Sequence, residues 1–344
     1  MLSDGQRYSS VRSVWLIEGI DCRLYTVVMP ESPDKKKRIL NAFKDIPPTD
    51  ELVESREPTP EELKQFKIAK QRVAKIYSYL SVSRDESVKE PVPRIVFAKG
   101  LLDRDSGKIQ PLFGMYRRRE NKIVLRDEKS EFARRELVHD MSHELLHSRT
   151  KTDFVAYSAS NKDFVQGGGG VEIVRERVGG NRPEIKGYFS GLEEAFVEEL
   201  NIQGGILDGS IDDELLDGIY IHYRHVLYMI IGLVKKNREK TNPDITCMDI
   251  WKEYARKFLI GDRSYLKEME MVLNRGSIKA LSRFGYSRHE DESIYGKLSE
   301  IFRSKYKPED FSEGVKSTDS AENFLKSLQQ IRDIMHSIRP KAGE

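Results

Sequence analysis

Apolar residues return every three or four positions through residues 131–149, where Leu137, Val138, Met141, Leu145 and Leu146 make one stripe. This period predicts a helix, with Ser130 as its N-cap and Glu131 in its first turn. A second helical pattern over 60–80 opens on Pro60, Glu61 and Glu62 and carries Ala69, Val73, Ile76 and Leu80 on one side. A third starts at Ser190, which has capping-box spacing to Glu193; Leu192, Phe196 and Leu200 form its apolar row, and Gly204-Gly205 marks the expected end. Short β-branched and aromatic runs predict strands at 94–98, 112–116 and 122–126, with a polar turn at 117–121, and two more at 154–157 and 171–178. Beyond 209 the pattern is helical almost throughout, clearest at 212–235, 247–259, 263–273 and 277–284, with a last amphipathic stretch at 318–338. The expectation is an α+β fold, a small mixed β-sheet and its following helix leading into a mostly helical C-terminal part.

Three regions follow from this pattern. Residues 1–85 form an N-terminal region containing the 60–80 helix, and no chemistry is assigned to 1–58. Residues 86–205 carry the strands and the two chemically suggestive helices, and 206–344 are the helical subdomain. Between those two helices lies Gly167-Gly168-Gly169-Gly170. No Lys-Ser/Thr follows it and no helix opens there, so it is expected to be a flexible hairpin or lid rather than a phosphate cradle.

The stretch His143-Glu144-Leu145-Leu146-His147 lies inside the 131–149 helix. Residues four apart on a helix stand one above the other, so His143 and His147 can direct imidazole nitrogens at one metal ion. Glu144, adjacent to a ligand without being one, can take a proton from an attacking water. A hydrolytic zinc site needs a third protein ligand and an open position. On the 190–205 helix, Glu194 and Glu198 share a face and suit a ligand and a carboxylate that orients a ligating imidazole. Glu193 is the poorer ligand candidate, because the capping box already employs it.

His-Glu-Leu-Leu-His followed by Gly-Leu-Glu-Glu-Ala-Phe-Val-Glu-Glu-Leu resembles the gluzincins, the thermolysin-like zinc metallopeptidases. The resemblance covers roughly residues 93–235. It implies a zincin-like fold, one Zn2+ per chain, His143, His147 and Glu194 as ligands, Glu144 as general base, and Glu198 as the carboxylate behind a ligating imidazole. It also implies hydrolysis of a peptide or protein substrate, with a sheet edge available to pair with it. The chain departs from the family pattern in carrying Glu193 where Asn is common and in the long interval from His147 to Glu194. The competing expectation is a zincin-like scaffold kept for binding or regulation without hydrolysis. For stabilising an oxyanion, Tyr157, Tyr220, His222, Tyr223 and His225 are candidates and Tyr223 is the choice; His139, one turn before His143, is expected to make a structural hydrogen bond.

Composition narrows the partners. The 344 residues are 38% hydrophobic and 33% charged, as in a soluble globular protein, and the net charge of +2 argues against nucleic acid. The runs Arg117-Arg118-Arg119 and Lys35-Lys36-Lys37-Arg38 read as solvated turns. Cys22 and Cys247 have no paired spacing, so neither a disulfide framework nor a cysteine zinc site is expected. No apolar signal region opens the chain and the longest apolar run, 226–234, is too short to span a bilayer, so no membrane partner is expected and cytoplasmic residence is the default.

Overall fold

A computed structural model describes residues 32–44, 50–83, 92–103, 106–112, 114–128, 131–150, 155–159, 162–167, 170–179, 185–211, 220–273, 277–285, 288–305, 329 and 331–340. The expected cap at Ser130, the glycines Gly168 and Gly169, Cys22, residues 212–219 and most of the 318–338 stretch lie outside them.

Helix α1 (Pro33–Lys44) and strand β1 (Asp50–Val53) precede α2 (Pro60–Tyr79). Thr59 caps α2: its hydroxyl accepts from Glu62 N, and the Glu62 carboxylate accepts from Thr59 N at 2.6 Å, so two of the helix's orphan donors are satisfied. Phe66, Ala69, Val73 and Ile76 then fall on the buried side. Strands β2 (Arg94–Ala98), β3 (Gly100–Asp103), β4 (Ile109–Gln110), β5 (Gly114–Arg117) and β6 (Lys122–Arg126) lead into α3 (Glu131–Arg149). β2 pairs parallel with β6 and β5 pairs antiparallel with it, giving a mixed sheet in the order β2-β6-β5. β5 is therefore an edge strand. A separate antiparallel sheet has the order β1-β3-β4.

The arginines of the expected turn are not solvated. Arg118 and Arg119 lie in a 3₁₀ turn at Arg118–Glu120 between β5 and β6. Arg117 pairs with Asp50 at 3.1 Å, Arg118 with Glu172 at 3.0 Å, and Arg119 with Glu176 while stacking over Phe43. Apart from Glu120, which also pairs with Arg117, these carboxylates come from 54 or more residues away, which local sequence does not display.

The stretch between the two helix motifs is more ordered than its glycines suggest. Strands β7 (Val155–Ala159), β8 (Lys162–Gly167), β9 (Ile173–Val178) and β10 (Ile185–Tyr188) form an antiparallel sheet in the order β10-β9-β8-β7. Of these, β8 and β10 were not expected; β8 is broken by Lys162, Asp163 and Gln166, and β10 has four residues.

Helix α4 (Ser190–Asp208) follows, then α5 (Ile221–Arg238), α6 (Cys247–Leu259), α7 (Tyr265–Leu273), α8 (Ser277–Leu281) and α9 (Arg288–Lys305), with a further helical turn at 331–337. α4 departs from its expected ends in both directions. Its N-cap is Phe189, with φ 65° and no side-chain cap, and the helix passes through Gly204 and Gly205 to Asp208. The glycines serve packing instead: a Cβ on Gly204 would lie 2.7 Å from side-chain carbons of Arg72 and Ile76, so α2 and α4 can touch there only without one. The glycine run joins β8 to β9, which pair antiparallel, so a hairpin stands where one was expected, and Gly170 is pinned within it. It has φ +51°, a Cβ there would meet Phe258 at 2.2 Å, and its carbonyl accepts from Arg263 Nε at 3.1 Å.

One apolar cluster runs from Phe66 to Ile338, joining α2, the β2-β6-β5 sheet, α3, α4 and the later helices. Phe196 of α4 stacks on Trp251 and Phe258 of α6, all fully buried. Burying each such side chain contributes roughly 1.5–3 kcal/mol, enough to hold α4 in place although it also buries Glu193, Glu198 and Glu199. Among the described residues no helix is long and apolar enough to cross a membrane.

Candidate metal centre

Met141, Leu145 and Leu146 turn one side of α3 into the core, which leaves His143 and His147 facing α4. On α4, the buried row of Leu192, Phe196 and Leu200 leaves Glu194 and Glu198 toward the histidines. His143 Nε2 lies 3.2 Å from His147 Nε2 and 3.0 Å from Glu194 Oε2, and His147 Nε2 lies 3.4 Å from Glu194 Oε1. This His143, His147 and Glu194 group could hold a metal ion.

The far nitrogens of both imidazoles also face carboxylates. Glu198 Oε2 is 3.0 Å from His143 Nδ1, and Glu198 Oε1 is 3.1 Å from His139 Nε2. Glu193 Oε1 is 3.5 Å from His147 Nδ1; this oxygen is buried and has no hydrogen bond. Its partner oxygen accepts from Val171 N at 2.8 Å and Glu172 N at 3.0 Å, and Arg118 lies 3.9 Å from Oε1. Those bonds explain why no capping box forms at Ser190: Glu193 is engaged by the backbone at the end of the glycine run. A carboxylate at Nδ1 assigns the proton to that nitrogen and turns the Nε2 lone pair inward.

Three electron-pair donors therefore converge, an arrangement that repels itself unless a cation or protons lie between them. A tetrahedral zinc with bonds of about 2.0–2.1 Å sets its ligand atoms about 3.3 Å apart. The two Nε2 atoms are 3.2 Å apart and lie 3.0 and 3.4 Å from different oxygens of Glu194, so the three side chains are near enough to share one ion, and two imidazoles with a carboxylate are a donor set that suits zinc.

Charge at the centre is set by burial and by these partners. Burial works to lower the His143 imidazole, but hydrogen bonds to Glu194 and Glu198 raise it well above its ordinary value. His147 behaves alike, raised to about 10 against burial by Glu194 and Glu193. Burial works to raise Glu194 and Glu198; the histidines hold Glu194 far below the carboxylate range and Glu198 at about 2.

Glu144 differs from these acids. It is 7% exposed, and it makes no hydrogen bond or ion pair with any described residue. Burial raises its carboxyl, opposed by the charges of His143 and His147. The Gly114 position of edge strand β5 packs against it so closely that a Cβ would stand 2.9 Å from Glu144 Oε1. Gly114, His143, Glu144 and Tyr220 line one end of an open cleft of about 1130 Å³ that continues along α3 to the first turns of α2.

Tyr223, the expected oxyanion donor, is engaged elsewhere. Its hydroxyl donates to Asp291 Oδ2 at 3.0 Å, and Asp291 Oδ1 accepts from Gly285 N. Tyr220 stands nearer, its ring stacked on His143 at 5.7 Å and on Tyr223 at 5.7 Å, and burial raises its phenol. Tyr220 is the N-cap of α5, with φ 59°, just outside the helix that carries Tyr223. Glu193, behind His147, is not among the residues expected at the centre. The only local signal for it is the capping-box spacing, which points to a different partner. Tyr157 stacks on Phe164 within the β10-β9-β8-β7 sheet, and His222 and His225 face Tyr295 of α9.

No protein-family model matches the chain, and comparison with curated proteins and with solved structures yields no significant match. The likeness to the gluzincins thus rests on the residues of α3 and α4 alone.

Proposed function

We propose that the chain is a zinc-dependent metallopeptidase, with His143, His147 and Glu194 holding the metal and Glu144 as general base. The observation that carries this reading is the buried Glu144 carboxylate, with no hydrogen bond or ion pair to any described residue, beside three groups that could hold a metal ion. A buried carboxylate without a hydrogen-bond partner at the end of a cleft is costly in a purely structural role.

Zinc bound to those residues supplies Lewis acidity, polarising a carbonyl and making water a stronger acid at neutral pH. Glu144 accepts the proton of the attacking water at a carboxylate oxygen and delivers it to the leaving amine. Its raised affinity for protons suits both halves of that transfer. Glu198 orients His143 through its Nδ1 atom, and Glu193 sets a carboxylate oxygen 3.5 Å from His147 Nδ1. Tyr220, rather than Tyr223, is the residue offered to the developing oxyanion. The outer edge of β5, next to Glu144 and paired with no described strand, suits main-chain pairing with an extended peptide.

The test is Glu144→Gln. Zinc content is expected to equal that of the parent protein while peptide hydrolysis falls about 10²–10⁴-fold; His143→Ala is expected to lose the metal. Full activity in E144Q would refute the mechanism. Bound zinc without hydrolysis by the parent protein, across a varied peptide library, would favour a binding scaffold.

A further inference from the structure

The cleft is acidic out of proportion to the chain. The whole sequence has 58 basic and 56 acidic residues, yet eight of the residues lining the cleft are Asp or Glu and two are Arg. Both arginines are neutralised by neighbours, Arg56 by Glu62 at 2.8 Å and Asp127 at 2.7 Å and Arg126 by Glu128, while among the acids Glu57 pairs with Arg94, Glu61 with Lys64, and Glu198 with His139 and His143. Two cleft acids on α3 have no such partner. Glu136 and Asp140 are half-buried, and neither makes a hydrogen bond or ion pair with any described residue. With Glu144 they recur every four positions, so the three carboxylates form one row along the helix face that floors the cleft. The apolar part of the lining, Phe97, Leu125 and Leu137, suits the aliphatic stems of long cationic side chains.

We propose that the centre acts on basic peptides, with Asp140 and Glu136 receiving lysine or arginine side chains; this rests on the peptidase reading above. A helix rises 1.5 Å per residue, so Asp140 and Glu136 stand about 6 and about 12 Å from Glu144 along α3. An extended peptide advances about 3.3 Å per residue. The cationic residues therefore sit roughly two and roughly four positions from the bond that is cut.

The experiment uses the full zinc-loaded chain and three internally quenched peptides identical except at the positions two and four residues from a central Phe-Leu bond on both sides, which carry lysine, glutamine or glutamate. The lysine peptide is expected to be cleaved with a kcat/KM about tenfold above the glutamine peptide, and the glutamate peptide below both, the lysine advantage shrinking as salt is added. In the double variant Glu136→Gln, Asp140→Asn the lysine-to-glutamine ratio is expected to fall toward one while zinc content stays the same. Equal cleavage of the three peptides, or a ratio untouched by the double variant, would overturn the proposal and leave the peptidase reading standing. Cleavage of none of them would count against that reading instead. The proposal would then be decided by fluorescence anisotropy of the labelled peptides on the E144Q protein, where equal binding of lysine and glutamate peptides would overturn it.

Discussion

Glu198 and Glu199 are chain neighbours on α4, each at most 2% exposed, and they face opposite kinds of surroundings. Glu198 turns toward His139 and His143. Glu199, about 100° further round the helix, turns toward the helical half. There it accepts from Tyr228 and Gln203, with Arg224 Nε at 3.5 Å and Arg339 Nε at 3.6 Å. Gln203 extends that second cluster to Trp251 and to the carbonyl of Ile338, so it ties α4 to α6 and to the end of the described chain. Guanidinium groups stay charged at any pH a protein meets, whereas imidazoles exchange protons near neutrality. One carboxylate is thus permanently balanced and serves the fold. The other belongs to a group whose balance depends on protons or a metal.

Replacing each acid in turn tests that contrast most sharply. Glu199→Gln leaves Arg224 and Arg339 without their shared counter-charge in the core, and a loss of about 3–5 kcal/mol is expected in urea unfolding of the zinc-free protein. Zinc stoichiometry should not change. Glu198→Gln keeps an acceptor near His143 but removes its charge; zinc affinity, measured by chelator competition, is expected to fall about 10–100-fold with a smaller loss of stability. If both variants weakened zinc equally, the division of α4 into a structural and a reactive side would fail.

A smaller effect comes from a carboxylate that is neither buried as deeply nor near the centre. Hydrogen bonding from Arg56, opposed by partial burial, lowers Glu62 to about 2. Its folded value lies below the ordinary 4.5, so its contribution is fully present above that value and disappears as the pH falls through about 2. The stability difference between the parent protein and Glu62→Gln is expected to be at most about 1 kcal/mol at neutral pH, given solvent screening at the cleft rim. It should shrink steadily on acidification below about pH 4.5. A difference that grew instead would mean that Glu62 is not the group held by Arg56.

Local pattern read some parts of the molecule well. The α6 boundaries, the β2 and β6 strands and the helical spacing of α3 follow from contacts within a few residues, where period and propensity are decided. The region between the motifs was read poorly, because a strand such as β8 exists by pairing with β7 and β9 and its own residues alternate weakly. The arginine run, too, takes its character from distant carboxylates.

The sequence by itself determined which residues share a helix face: His143 with His147, Glu194 with Glu198, and Glu144 beside them. Helix geometry is a local property, so spacing is sufficient for that. Only the tertiary structure decided what those faces meet. The crossing of α3 and α4 brought the three groups that could hold a metal within 4.8 Å of one another. The backbone at Val171 and Glu172 drew Glu193 away from its expected cap and toward His147, and Asp291 held Tyr223 while Tyr220 took the place beside His143. Each outcome was a competition for a hydrogen-bond or stacking partner between groups far apart in the chain, and packing decides which partner is within reach.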